Sequence, residues 1–338
     1  MKLRILSVAT AATLLVAVAF VFVAWIERPR KPSESPAVTV GEPWGRQPIL
    51  PLPPVPDLPA EKVALGERLF FDKRLSADDT IACASCHDFA RGGADRLPRS
   101  VGVGGRTGNV NAPTVFNAAL QFAQFWDGRA ATLEEQAAGP VHNPVEMASS
   151  WEQVIPKLRA DAGYREAFAR LYPQGISGAT IVDAIAAYER TLLTPSRFDR
   201  YLRGDEGALD ALEKTGYRRF LDFGCASCHQ GRLLGGNMYQ RFGVLGDYFG
   251  SRPASEANLG RYNVTGREED RHVFKVPGLR NVAVTAPYFH DGSVASLEEA
   301  VILMGRYQLG RELSGQDVTA IVAFLHSLTG EWQGEVLR

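Results

Sequence analysis

The sequence predicts an all-α body of two domains, mostly helices and irregular loops, behind an N-terminal transmembrane helix. Three observations carry this expectation. Apolar residues recur at helical spacing in separated segments, one short cysteine motif occurs twice, and an apolar run near the N-terminus leads into a proline-rich stretch. Ile5 to Ile26 is nearly unbroken in apolar residues, preceded by Lys2 and Arg4 and followed by Glu27-Arg-Pro-Arg-Lys31. That is enough for the ~20 residues that span a bilayer. The run is longer than the core of a cleavable signal and ends in bulky Trp25 and Ile26, so residues 1–28 read as an uncleaved anchor. Residues 29–59 hold ten of the twenty prolines and read as an extended, semi-rigid tether. The rest divides into domains at 60–204 and 205–332, each with one copy of the cysteine motif. Helical spacing is clear over 60–70, 151–171, 181–193 and 318–328, with Ser177 and Ser314 placed as N-caps and Gly330 as a stop. Arg91–Asp95 and Gly102–Gly108 read as loops, and no sustained strand alternation is present. A formal net charge of −1 gives no reason to expect nucleic acid as a partner.

The motif is Cys-X-X-Cys-His, as Cys83-Ala-Ser-Cys86-His87 and Cys225-Ala-Ser-Cys228-His229, and it uses all four cysteines. Two thiols three positions apart lie on one side of a helical turn, where both reach one haem edge as thioethers. The following histidine supplies an axial imidazole. Zinc ribbons place such pairs about 15–20 residues apart, far closer than here, and a thioredoxin-like role leaves both histidines unexplained. Two covalently bound haems c are therefore expected, each supplying much of the apolar core of a cytochrome c-like domain. Such haems are attached outside the cytoplasmic membrane, which places the body on the periplasmic side of a bacterial inner membrane. With every cysteine committed, no disulfides are expected. The surroundings of the two motifs also form a weak internal repeat.

The chain resembles the bacterial di-haem cytochrome c peroxidases and the related MauG-type enzymes. The segments in register are Ala64–Asp72, both haem motifs, Asn111–Thr114, Phe125–Arg129, Leu133–Ala137, Asn143–Met147, Phe274–Asn281, Thr285–Gly292 and Met304-Gly305. The resemblance implies that the haem held by Cys83, Cys86 and His87 reacts with hydrogen peroxide. It also implies that Glu146 overhangs that haem with Gln136 as its polar neighbour. One positioned carboxylate can move the proton that heterolytic O–O cleavage requires, and an amide can orient the peroxide. Many relatives block this iron with a second histidine, whose position here is Val103. Valine cannot ligate, so an open, directly reactive site is expected, with His142 as the substitute candidate.

The haem of Cys225, Cys228 and His229 would receive electrons, with Met304 as its distal ligand and Tyr307 as the fallback. A His–Met pair raises the reduction potential and leaves no site for peroxide. MauG-type enzymes use tyrosine here, so Met304 favours the peroxidase. Trp126 would stand between the haems as an electron relay. A calcium ion is implied between the domains, held by the side chain of Asn111 and the carbonyls of Thr285 and Pro287. His290 reads as a hydrogen-bonding residue near the second haem, and His272 and His326 as locally satisfied polar groups.

The leading functional expectation is reduction of hydrogen peroxide to water with electrons from a small c-type cytochrome or cupredoxin. A MauG-like oxidation of Trp or Tyr residues in a partner protein is the second. A non-catalytic di-haem electron carrier is the third, and it leaves Gln136 and Glu146 without a role. The resemblance also suggests a homodimer.

Overall fold

The computed structural model describes residues 47–338, and the expected membrane helix at 1–28 lies outside them. Among the described residues no helix is long and apolar enough to cross a membrane. The principal helices are α1 (Ala60–Phe70), α2 (Leu133–His142), α3 (Trp151–Ala160), α4 (Ala162–Leu171), α5 (Gly178–Glu189), α6 (Arg197–Leu202), α7 (Ala211–Asp222), α8 (Leu297–Leu303) and α9 (Gly315–His326). The segment read as one helix over 151–171 is two. Asp161 ends α3 and accepts the Tyr164 N–H, capping α4. Ser177 and Ser314 cap α5 and α9 as expected. Gly330 lies beyond the end of α9 and instead lets the backbone pass against Thr194, whose carbonyl a Cβ would strike. Two short antiparallel ladders also form, β1 (Tyr239–Arg241) with β2 (Val273–Lys275) and β3 (Glu331–Trp332) with β4 (Glu335–Val336). They are too short to show as alternation in sequence.

Among the described residues two large hydrophobic cores form, each around one crossed helix pair, with a small third cluster at Ala118, Leu133 and Ala186. In the first, α1 lies on α5, and a Cβ on Gly66 would collide with the Ala184 carbonyl and Tyr188. In the second, α7 lies on α9, and Gly216 meets Ala320 and Phe324 in the same way. Absence of a side chain at each crossing permits the close backbone approach. Phe198 and Leu202 of α6 pack in the second core, ahead of the boundary expected after residue 204. The C-terminal Trp332 and Leu337 return to the first.

The proline-rich stretch is extended over 47–59 but is not a free tether there. Ile49 and Leu52 are buried, Leu52 N–H donates to Asp199 Oδ1 at 2.7 Å, and Arg203 donates to the Leu52 carbonyl. Arg280, also buried, pairs with the same Asp199, so this carboxylate fastens the segment to the second core. Proline spacing reports stiffness and is blind to the apolar residues between the prolines.

The internal repeat is far longer than the motif surroundings suggest. Residues 111–142 and 275–306 correspond position by position along the sequence. Asn117 and Asn281 both take positive φ, at 63° and 64°, and both donate to Thr194 Oγ1. The bridge Gln124–Ala130 matches Tyr288–Val294, and the caps Thr132 and Ser296 precede α2 and α8. The halves clasp reciprocally. Asn111 N–H donates to the His290 carbonyl and Lys275 N–H to the Trp126 carbonyl, both at 2.8 Å.

Candidate functional site

Each motif histidine is fixed by its own loop. His87 Nδ1 pairs with the Gly93 carbonyl at 3.3 Å and His229 Nδ1 with the Leu234 carbonyl at 3.0 Å. With Nδ1 committed, Nε2 is left as the ligating atom, and burial pushes both imidazoles toward the neutral form that binds a metal. Phe70 and Phe220 sit at matching places, 6.5 and 6.4 Å from the two imidazoles. The two cysteine pairs belong to different cores and cannot converge on one zinc. Among the described residues no three His, Cys, Asp or Glu side chains are grouped to hold an ion. Burial also pushes the Cys86 and Cys225 thiols up to about 11, disfavouring thiolates. The surroundings fit thioether attachment of haem.

The second pocket is one largely apolar cavity that brings together Cys225, Cys228, His229 and Met304. Met304 opens a π-helical turn, Met304–Gln308, directly after α8, and Leu297 and Val301 line the same cavity. Tyr307 is not among the residues that line it and packs edge-on against Tyr248. Trp126 also lines this cavity. Its Nε1 donates to the Asn111 carbonyl at 2.9 Å, and its ring meets His290 edge to face at 6.4 Å. These two rings occupy equivalent positions in the repeat. His290 is buried, bonded through Nε2 to Asn258 Oδ1, and held neutral with a pKa of about 4 by burial. Asn111, Thr285 and Pro287 converge on the cavity too, and among the described residues no hydrogen bond uses Asn111 Oδ1 or either carbonyl.

Around the first motif, Asn143 Nδ2 donates to Glu146 Oε1 at 2.6 Å, while Asn143 Oδ1 caps the turn through Val145 N–H. Pro144 stops α2 there, which explains why this segment turns back over the site. Glu146 lies close enough to influence both Cys83 and Cys86. Burial raises its carboxyl pKa, against the pull of the Asn143 amide and the Arg129 guanidinium. Arg129 stacks over Phe125 at 3.5 Å and pairs with Asp127, and its influence on Glu146 was not evident from sequence. Val103 N–H donates to the Glu146 carbonyl at 2.8 Å, and Gly102 has no room for a Cβ beside the same segment. Gln136 is half-buried on α2 and makes no side-chain hydrogen bond among the described residues. His142 is exposed and turned to Ser149 and Trp151, and His272 and His326 lie elsewhere. The repeat position of Met304 is Pro140 in α2, which has no donor atom for iron. Buried Glu189, on α5 within influence of Cys83, went unnoticed in sequence because it follows an apolar run that reads as core.

Comparison with known proteins points the same way. Residues 60–207 match the family described as di-haem cytochrome c peroxidase. Cytochrome c peroxidase Ccp of Escherichia coli is 53% identical over 91% of this chain, and the match spans 66% of that protein's length, just under two thirds. Cytochrome c551 peroxidase of Nitrosomonas europaea is 47% identical, covering 84% of this chain and 85% of that one. The crystal structure of a MauG-like protein associated with microbial copper homeostasis is similar at TM-score 0.75 and 32% identity, covering 85% of this chain and 95% of that chain. With two haem motifs set in two cores of one helix-rich body and likeness to such enzymes over most of its length, the chain belongs to the di-haem cytochrome c peroxidase family.

Proposed function

We propose that the protein reduces hydrogen peroxide to water with electrons drawn from a small c-type cytochrome or cupredoxin. The observation that carries this reading is Glu146. It is a half-buried carboxyl of raised pKa, aimed by Asn143, beside the first haem motif and next to a loop whose Val103 cannot ligate iron. The bound haems supply the redox-active irons, one for peroxide and one for electron transfer. Glu146 takes the proton from the near peroxide oxygen and returns it to the leaving one, a double transfer that a raised carboxyl pKa favours by making the protonated form easier to reach. Arg129 and the Asn143 amide stabilise the carboxylate that exists before the first transfer and is restored by the second. Gln136 orients the peroxide from α2. His87 and His229 would hold the irons through Nε2, with Met304 as the further ligand at the second, and Trp126 would relay electrons between the halves. Asn111, Thr285 and Pro287 offer three unclaimed oxygens to a calcium ion, a donor set suited to a hard cation. The body works on the periplasmic side of the inner membrane, tethered by residues 1–28.

A MauG-like oxidation of a partner protein uses the same open first site. Met304 in the cavity and Tyr307 outside it count against that reading. Steady-state peroxide reduction with a reduced small cytochrome c or cupredoxin tests the proposal. Turnover that consumes two donor electrons per peroxide supports it. Absence of turnover with every such donor, together with oxidation of aromatic residues in a partner protein, overturns it.

A further inference from the structure

Lys275 is a buried ammonium without an anion. It is 5% exposed, and its Nζ donates to the neutral Gln121 Oε1. Burial alone moves its pKa, down to about 8, and no carboxylate contributes. Among the described residues it has no acidic partner within ion-pair distance, whereas buried Arg280 in the same cavity wall has Asp199. A charged amine taken out of water with no counter-charge costs several kcal/mol. Its place is fixed rigidly: Lys275 pairs with Tyr239 across the β1–β2 ladder, and its backbone N–H is held by the Trp126 carbonyl. Lys275 and Gln121 both line the cavity that holds Cys225, Cys228, His229 and Met304. The equivalent residue of the first half is the neutral Asn111.

We infer that Lys275 is the counter-cation of a propionate carboxylate of the haem attached at Cys225 and Cys228, and that it tunes that haem's reduction potential. Haem brings two carboxylates into a largely apolar cavity, where each needs a cation as much as the lysine needs an anion. His290, also on the wall, has its Nε2 taken by Asn258 Oδ1. Lys275 is thus a positioning residue beside Trp126, and its positive charge favours the reduced state of the iron.

This inference rests on the reading of the second pocket as a haem site, so the experiment begins by counting haems in the holoprotein by mass spectrometry. Fewer than two would overturn that reading, and this inference with it. With two present, the potential of the second haem is measured by spectroelectrochemistry in the unmodified protein, Lys275→Met and Lys275→Arg. The expected result is a shift of the reduction equilibrium toward the oxidised form by about tenfold in Lys275→Met, ~59 mV for a one-electron couple. Lys275→Arg keeps the charge and should stay within roughly threefold of the unmodified protein. Should Lys275→Met fail to carry both haems, Lys275→Gln gives the same measurement with a polar side chain in that space. An unshifted potential in the uncharged variant, or an equal fall in Lys275→Arg, would overturn the inference.

Discussion

Glu146→Gln removes the proton-transferring group while keeping the size of the side chain and its contact with Asn143. Glutamine has nearly the same volume, and its Oε1 can still accept from Asn143 Nδ2, the contact measured at 2.6 Å. Packing and loop geometry are therefore kept, including the bond from Val103 N–H to the residue 146 carbonyl. What is lost is a group able to take and return a proton, worth about 10²–10⁴-fold in rate. Each factor of ten is about 1.4 kcal/mol of barrier, so the expected loss is ~3–5 kcal/mol of transition-state stabilisation. The assay is kcat/KM for peroxide with a reduced cytochrome donor, alongside haem content and the spectrum of the second haem as controls. The pH profile adds an independent reading. Because burial raises the Glu146 pKa, the unmodified enzyme should lose activity as pH falls, at a higher pH than an exposed glutamate would give. That acid limb should vanish in the variant. A Glu146→Gln enzyme within threefold of the unmodified rate would refute the assignment.

Replacing Met304 by alanine should lower the potential of the second haem and let added imidazole bind there. An unchanged potential and spectrum would remove Met304 from the iron. Gly216→Ala places a Cβ against the Ala320 carbonyl and Phe324, and should cost about 1–3 kcal/mol of stability by denaturant unfolding; no change would mean the helix crossing is not tight. Buried Glu189 has its pKa raised from 4.5 to about 8, so between those values the folded protein keeps a proton that the unfolded chain has released. Its contribution is therefore fully present below about 4.5 and falls as pH rises toward 8, by up to ~1.4 kcal/mol per pH unit. Unfolding midpoints at several pH values should show a smaller decline in Glu189→Gln than in the unmodified protein, and equal declines would contradict the burial argument.

What the sequence made legible was local. The helices at α1, α5 and α9, the caps Ser177 and Ser314 and the two haem motifs each depend on residues near one another in the chain. The break at Asp161 was hidden because apolar spacing continues through it. The long repeat was hidden for a different reason. Its backbone pattern is kept, but the side chains differ where the halves diverge: Trp126 against His290, Pro140 against Met304, Asn111 against Lys275. Signals such as Phe125-Trp-Asp-Gly and Phe289-His-Asp-Gly were present and would have revealed it on direct comparison. Arg129 acts on Glu146 through a fold-dependent approach, and the packing of Ile49 in the second core and the bond of Leu52 N–H to Asp199 depend on residues far along the chain. No local pattern encodes either.

The central claim is that the first site is open to peroxide without prior reduction, because Val103 stands in the loop beside Glu146 and Pro140 stands where the second half has Met304. Rapid-scan absorption after mixing hydrogen peroxide with the fully ferric holoprotein tests this most directly. An immediate spectral change with no reductant present is the predicted result. A spectrum that stays unchanged until one electron is added would contradict the claim and show that another residue closes the site.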